Sequence, residues 1–311
     1  VRTTPSPRTG LVAVVVTAVL WGTTGTAAAT AAVGPLAIGA AALGIGGLLQ
    51  AAVAVGPLQR ARPVLRRHLG LVLLGGIAVA VYPLAFYSSM HTAGVAIGSV
   101  VSLASAPLAS GVLERVVDRR PLGRAWVAAA ALGVLGSTVL CLSGVDSGQA
   151  PTDAPAGTDI GSGGTVLGIL LGLVAGVTYA VYSWAAHRLM VVGAGRAASM
   201  GAVFGTGGVL LLPVLVLTGG AFLTSWTNVL AGLYLALVPM FLGYLLFGIG
   251  LATIRPSTAT TVTLLEPAVA TVLAVLVVGE RLTAPGWAGL ACIGVALVLL
   301  VVAPVARPAR S

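Results

Sequence analysis

One acidic side chain stands deep inside an apolar stretch: Glu266, 11 residues after Arg255 and 14 before Glu280. At a helical rise of about 1.5 Å per residue, it falls near the middle of a bilayer that this stretch would cross. Placing a carboxylate there costs on the order of 3 kcal/mol, so a functional role is the default expectation. Such a group can take up and release a proton as its surroundings alternate, or pair with a solute ammonium. It directly precedes Pro267, whose ring and missing N–H free backbone carbonyls one turn back. A protonated carboxyl that only fixes this helix bend is the competing role. Pro107 is expected to bend a second helix. Thr263, one turn before Glu266, shares its face and is a candidate hydrogen-bonding partner for a solute.

Thr17, Trp21 and Thr24 share one helical face, and Trp21 is eleventh in its apolar run, far from the interfacial depth where Trp is routine. Its ring can close over an apolar or cationic solute, and its N–H needs a partner. Tyr82, Tyr179, Tyr182 and Tyr244 sit at comparable positions in other runs, with Tyr179 and Tyr182 on one face. Trp21, Thr24, the four tyrosines, Thr263 and Glu266 are therefore the candidate substrate-binding residues. Each has a plain alternative in helix packing. Ser99 and Ser102 more simply bond their own helix backbone. His91 and His187 have no second ligand at metal spacing, so no metal, cofactor or catalytic residue is expected. An intramembrane enzyme would need a nucleophile–base pair at that depth, and a channel would need a filter or charged ring. Neither pattern is visible.

These residues need helices to hold them in lipid. Of 311 residues 58% are hydrophobic and 7% charged, with 43 glycines and a mean hydropathy of +1.08. A soluble domain carries about a quarter charged residues, so the solvent of this chain is a bilayer. Ten stretches reach the roughly 20 apolar residues that a crossing requires. They are 11–33, 36–55, 69–89, 93–113 and 125–143, then 165–186, 197–217, 229–253, 257–278 and 286–303. Unpaired backbone is excluded from lipid, so all ten are expected to be helical. The first is too long for a typical signal peptide. All 16 basic residues are Arg, giving a net charge of +9. With residues 1–10 on the cytoplasmic side, the connections on that side hold every Arg but Arg281, which places both termini in the cytoplasm. These arginines lie in short connections, not in a basic helix or patch, so nucleic acid is not an expected partner.

The chain also repeats. Pro107 and Pro267 are 160 residues apart, Trp126 and Trp287 161 apart, and DRRPLGRAW (118–126) lies against GERLTAPGW (279–287). Five spans per half invert the second half relative to the first, an arrangement that places a solute site near the midplane of secondary transporters. The expected organisation is a tail at 1–10, a five-helix repeat at 11–144, a polar Gly/Pro-rich external linker at 145–164, a second repeat at 165–303 and a tail at 304–311. Gly168, Gly172 and Gly176 signal close packing of the sixth span, within the bundle or between protomers. Oligomeric state stays open.

From 11 to 303 the chain resembles the EamA-type ten-span exporters of the drug/metabolite transporter superfamily. The motifs are VLWGTTG (19–25) and LLEPAVATVLAVLVVGERL (264–282). Two departures stand out: Asp118-Arg119-Arg120 replaces a Gly-Glu-Arg often seen in the first half, and the second span lacks an early Arg. The resemblance implies an exporter of amino acids, related metabolites or drugs. With the repeats and Glu266, the expectation is an all-α bacterial inner-membrane carrier that alternates its access, with the proton as a candidate coupling ion.

Overall fold

The computed structural model describes residues 6–145, 162–273, 275 and 283–302. The described residues are helices joined by short turns. The linker residues 146–161, both tails beyond residues 6 and 302, and Gly279-Glu280-Arg281 lie outside them.

Helix α1 (Pro7–Trp21) starts with Pro at its first turn and the Ser6 hydroxyl accepting the Thr9 N–H at 3.2 Å, which satisfies one of the four orphan donors of a helix start. It stops at Gly22, and α2 (Thr24–Ala29) continues the same span. Then come α3 (Pro35–Val53), α4 (Val55–Arg67), α5 (Leu69–Ala93), α6 (Val95–Val116) and α7 (Arg124–Val145). The remainder is α8 (Ser162–Val191), α9 (Arg196–Thr218), α10 (Trp226–Leu235), α11 (Gly243–Leu251), α12 (Pro256–Val262), α13 (Leu265–Leu273) and α14 (Ala284–Val302). A wide π-turn, Ala236–Leu242, joins α10 to α11 in one span.

Eight helical stretches among the described residues are long and apolar enough to cross a membrane. They coincide with eight of the ten expected segments. The other two are α7, a helix of 22 residues over the fifth expected segment, and the ninth segment. The ninth segment is broken into α12 and α13 at Thr263-Leu264. Helix α4 falls where a loop was expected. Its 13 residues carry Arg60, Arg62, Arg66 and Arg67 and bury only Ala61. That polar face suits the edge of a bilayer rather than its interior.

Small residues set how closely the helices approach. Gly168, Gly172 and Gly176 of α8 face α5 and α6: a methyl at Gly172 would come within 3.0 Å of Ser89 and Val101, and one at Gly176 within 2.6 Å of the Ser102 carbonyl. Ser89 also donates to the Gly168 carbonyl at 2.6 Å. This glycine stripe is consumed inside the chain. Helices α3 and α9 approach through Gly44, Gly47 and Gly208. Helices α7 and α14 pack against each other, with a methyl at either Gly136 or Gly289 reaching 2.7 Å from the other's carbonyl. Leu140, Ala268 and Ile293 form a small core there, separate from the main one. Helix α6 runs through Pro107 without interruption, so of the two prolines expected to bend helices only Pro267 adjoins a break.

Candidate functional site

The first and eighth spans run antiparallel, and their register is fixed by polar side chains. Trp21 donates its indole N–H to the Pro239 carbonyl at 2.9 Å, and Thr17 donates to the Gly243 carbonyl at 3.1 Å. Gln50, from α3, donates to the Phe241 carbonyl at 2.9 Å. All three acceptors lie in or beside the π-turn, whose bonding is rearranged around Pro239, which has no N–H. Carbonyls in and beside this turn thus accept side-chain bonds from neighbouring spans. Gly243 makes room for this: a methyl there would reach 2.8 Å from the Trp21 indole nitrogen.

The ninth span breaks just before Pro267. Its ring excludes the ordinary bond to the carbonyl four residues back. The turn tightens instead, with the Glu266 N–H on the Thr263 carbonyl at 2.9 Å and the Leu264 N–H on Thr261 at 3.2 Å. The Thr263 hydroxyl donates to the Thr260 carbonyl at 2.9 Å and also lies 2.9 Å from the Tyr179 hydroxyl. Having one hydrogen, Thr263 must accept from Tyr179. The break in the first span, at Gly22, packs directly on the break in the ninth: a methyl at Gly22 would touch Val269 and come 3.0 Å from the Glu266 carbonyl.

Where these two interruptions meet lies a narrow cleft, nearly closed, with about 10 Å3 of space for a water-sized group. Trp21, Thr24, Tyr82, Tyr244 and Glu266 line it. Sequence reasoning had not picked out Phe86 and Tyr87 on α5 or Met240 in the π-turn, which line it too. Tyr82-Pro83 followed by Phe86 and Tyr87 was the available signal. Glu266 is half-buried, and its carboxylate makes no hydrogen bond or ion pair among the described residues.

Tyr179, Tyr182 and Thr263 are buried behind the cleft wall rather than on it. Tyr179 and Tyr182 stack at 5.2 Å, and Tyr82 lies 5.6 Å from Tyr179. Tyr244 packs 4.8 Å from Trp21 and 4.4 Å from Phe204, and its hydroxyl bonds that of Tyr182 at 2.6 Å. The Thr24 hydroxyl donates to the Trp21 carbonyl at 2.7 Å. Ser102 donates to its own helix, at Gly98.

A polar cluster ties helices together at the Arg-bearing end of the bundle. Asp118 pairs with Arg188 at 3.2 Å and accepts the Trp184 indole N–H at 3.1 Å. Glu114, buried on α6, accepts the Ser257 N–H at the start of α12 at 2.9 Å, while its second oxygen has no partner. Arg255 reaches the Pro121 carbonyl at 3.4 Å, and His187 bonds the Leu251 carbonyl at 2.7 Å. His187 is therefore a tie between α8 and α11 rather than a solvated interface histidine, whereas His91 is exposed. From the helix directions, Trp21, Thr24, Phe86 and Tyr87 lie in the half of the bundle away from this cluster, and Tyr244 lies nearer to it.

An all-helical, multiply spanning bundle with broken helices meeting at an interior carboxylate is the architecture of a membrane transporter. The EamA-like transporter family matches residues 166–302. Transporter YwfM of Bacillus subtilis (strain 168), itself uncharacterized, is 32% identical over 299 residues, covering 94% of this chain and 93% of its own. The threonine/homoserine exporter RhtA of Escherichia coli (strain K12) is 28% identical over 213 residues, 68% of this chain and 64% of its own. A crystal structure of a protein 22% identical to this chain superimposes with a TM-score of 0.70, covering 95% of this chain and 96% of that one, which shows the shared fold. The chain belongs to the EamA-like transporter family, within the drug/metabolite transporter superfamily.

Proposed function

We propose that this transporter exports a small amphipathic solute across a bacterial inner membrane by alternating access, with the solute held in the cleft beside Glu266. The observation that carries this reading is the unpartnered Glu266 carboxylate at the junction of two broken helices. An intramembrane carboxylate without a partner is costly unless a cargo or a proton meets it. Ten spans in two inverted five-helix repeats, with both termini cytoplasmic, is the topology that goes with it. Helix α7 and the broken α12–α13 segment supply the fifth and ninth crossings, and the Arg distribution sets the orientation. In that orientation the Asp118–Arg188 cluster is the cytoplasmic gate, closed here.

The name of RhtA supports an amino acid or related metabolite as cargo. A second reading, a lipophilic cation, is favoured by the aromatic walls of the cleft. Proton coupling would run through Glu266, which binds either a proton or the solute as the cleft faces each side in turn. The test is counterflow of labelled amino acids and lipophilic cations into proteoliposomes, wild type beside Glu266→Gln, with and without a pH gradient. Saturable exchange that needs Glu266 and responds to the gradient is the expected result. Equal exchange by both proteins, indifferent to pH, would make Glu266 a residue of the helix break and the protein a facilitative carrier.

A further inference from the structure

Resting on that carrier reading, we infer that the cleft selects an organic monocation, an ammonium compound without a carboxylate, over zwitterionic amino acids. The argument is an audit of what each end of a solute would meet. A carboxylate leaving water needs a cation or several convergent donors in exchange. No Arg or His side chain lines the cleft among the described residues. The donors nearest to it are already engaged: Trp21 on the Pro239 carbonyl, Thr24 on the Trp21 carbonyl, and the Glu266 amide on the Thr263 carbonyl. Pro267 removes another N–H from the first turn of α13. What remains are the hydroxyls of Tyr82 and Tyr87, and that of Tyr244 when Tyr182 donates to it, neutral groups that face the same space as Glu266. A second carboxylate here would lie close to the first with little water to screen it.

An ammonium group meets the opposite conditions. Glu266 offers it an unpaired carboxylate. Trp21, Tyr82, Phe86, Tyr87 and Tyr244 offer rings whose faces attract cations. Helix α1 stops at Trp21, so the negative end of its dipole is at the cleft wall. Ala42, Leu43 and Met240 complete the wall with apolar surface for the body of the solute.

The probes are choline and glycine betaine, which share a trimethylammonium head and differ in the carboxylate, with threonine as a third. Each is radiolabelled and measured in counterflow with the full chain in proteoliposomes. Choline is expected to exchange saturably, at about tenfold or more the efficiency of either zwitterion, a difference worth one decade of affinity. Tyr87→Leu, which changes only a cleft ring, is expected to weaken choline by about threefold or more. Glu266→Gln is expected to abolish the preference for choline. Glycine betaine or threonine exchanging as well as choline would overturn the inference while leaving a working carrier. Choline exchange unaffected by both substitutions would also overturn it. Failure of all three probes would overturn it too, and the carrier reading would fall with it only if the wider panel of amino acids and lipophilic cations also failed to exchange.

Discussion

At the scale of single residues, the site is held by hydrogen bonds whose loss has defined costs. Trp21→Phe keeps an aromatic ring but removes the indole donor from the buried Pro239 carbonyl. It is expected to cost about 1–2 kcal/mol, seen as a lower melting temperature in detergent. Tyr179→Phe removes a donor from Thr263, whose hydroxyl keeps its own bond to Thr260. Its expected cost is smaller, about 1 kcal/mol in the same assay. Glu266, Trp21, Tyr82 and Tyr244 were legible in the sequence because polar or aromatic groups at midplane depth are anomalous in lipid. Phe86, Tyr87 and Met240 were not, because an apolar or interfacial reading explains each of them alone. Their place on the cleft follows from which face α5 and the π-turn present, and that depends on packing with other spans.

At the scale of helices, interruptions rather than straight rods build the site. The Glu266-Pro267 pair announced the break in the ninth span. The break at Gly22 and the π-turn around Pro239 were not announced, because Gly and Pro are both frequent in unbroken membrane helices. The turn's conformation depends on outside donors from Thr17, Trp21 and Gln50. Gly243→Ala is expected to push Trp21 from its place and impair transport, since the new methyl would lie 2.8 Å from the indole nitrogen. Gly294→Ala on α14, where a methyl meets nothing within 4 Å, is expected to leave transport unchanged. Similar losses in both, measured as counterflow per folded protein, would deny any special role to the contact at Gly243. The cluster at the Arg-bearing end gives a separate prediction. Asp118→Asn weakens the pairing with Arg188, so this end should open more often. The expected readout is faster modification of a cysteine placed at Ser183, buried on α8 with no hydrogen-bond partner for its hydroxyl.

At the scale of the whole molecule, composition alone announced the bilayer and the helices, since so little charge cannot cover a water-facing surface. The segment count was less secure. A hydropathy run marks a crossing but not whether its helix is continuous, and α4 shows that a polar connection can itself be helical. Orientation rests on arginines in short connections. Reporters fused after residue 311 and inserted within 145–164 are expected to show cytoplasmic and external locations respectively. The most direct test of alternating access at the Glu266 cleft uses two single cysteines, Tyr87→Cys in the cleft and Ser183→Cys toward the Arg-bearing end. Both are made with Cys141 and Cys292 replaced by Ala and probed with a membrane-impermeant maleimide from each side. A transported solute is predicted to change the two labelling rates in opposite directions, each cysteine reacting from its own side only. Rates that move together, or labelling of both positions from one side at once, would contradict alternating access at this site.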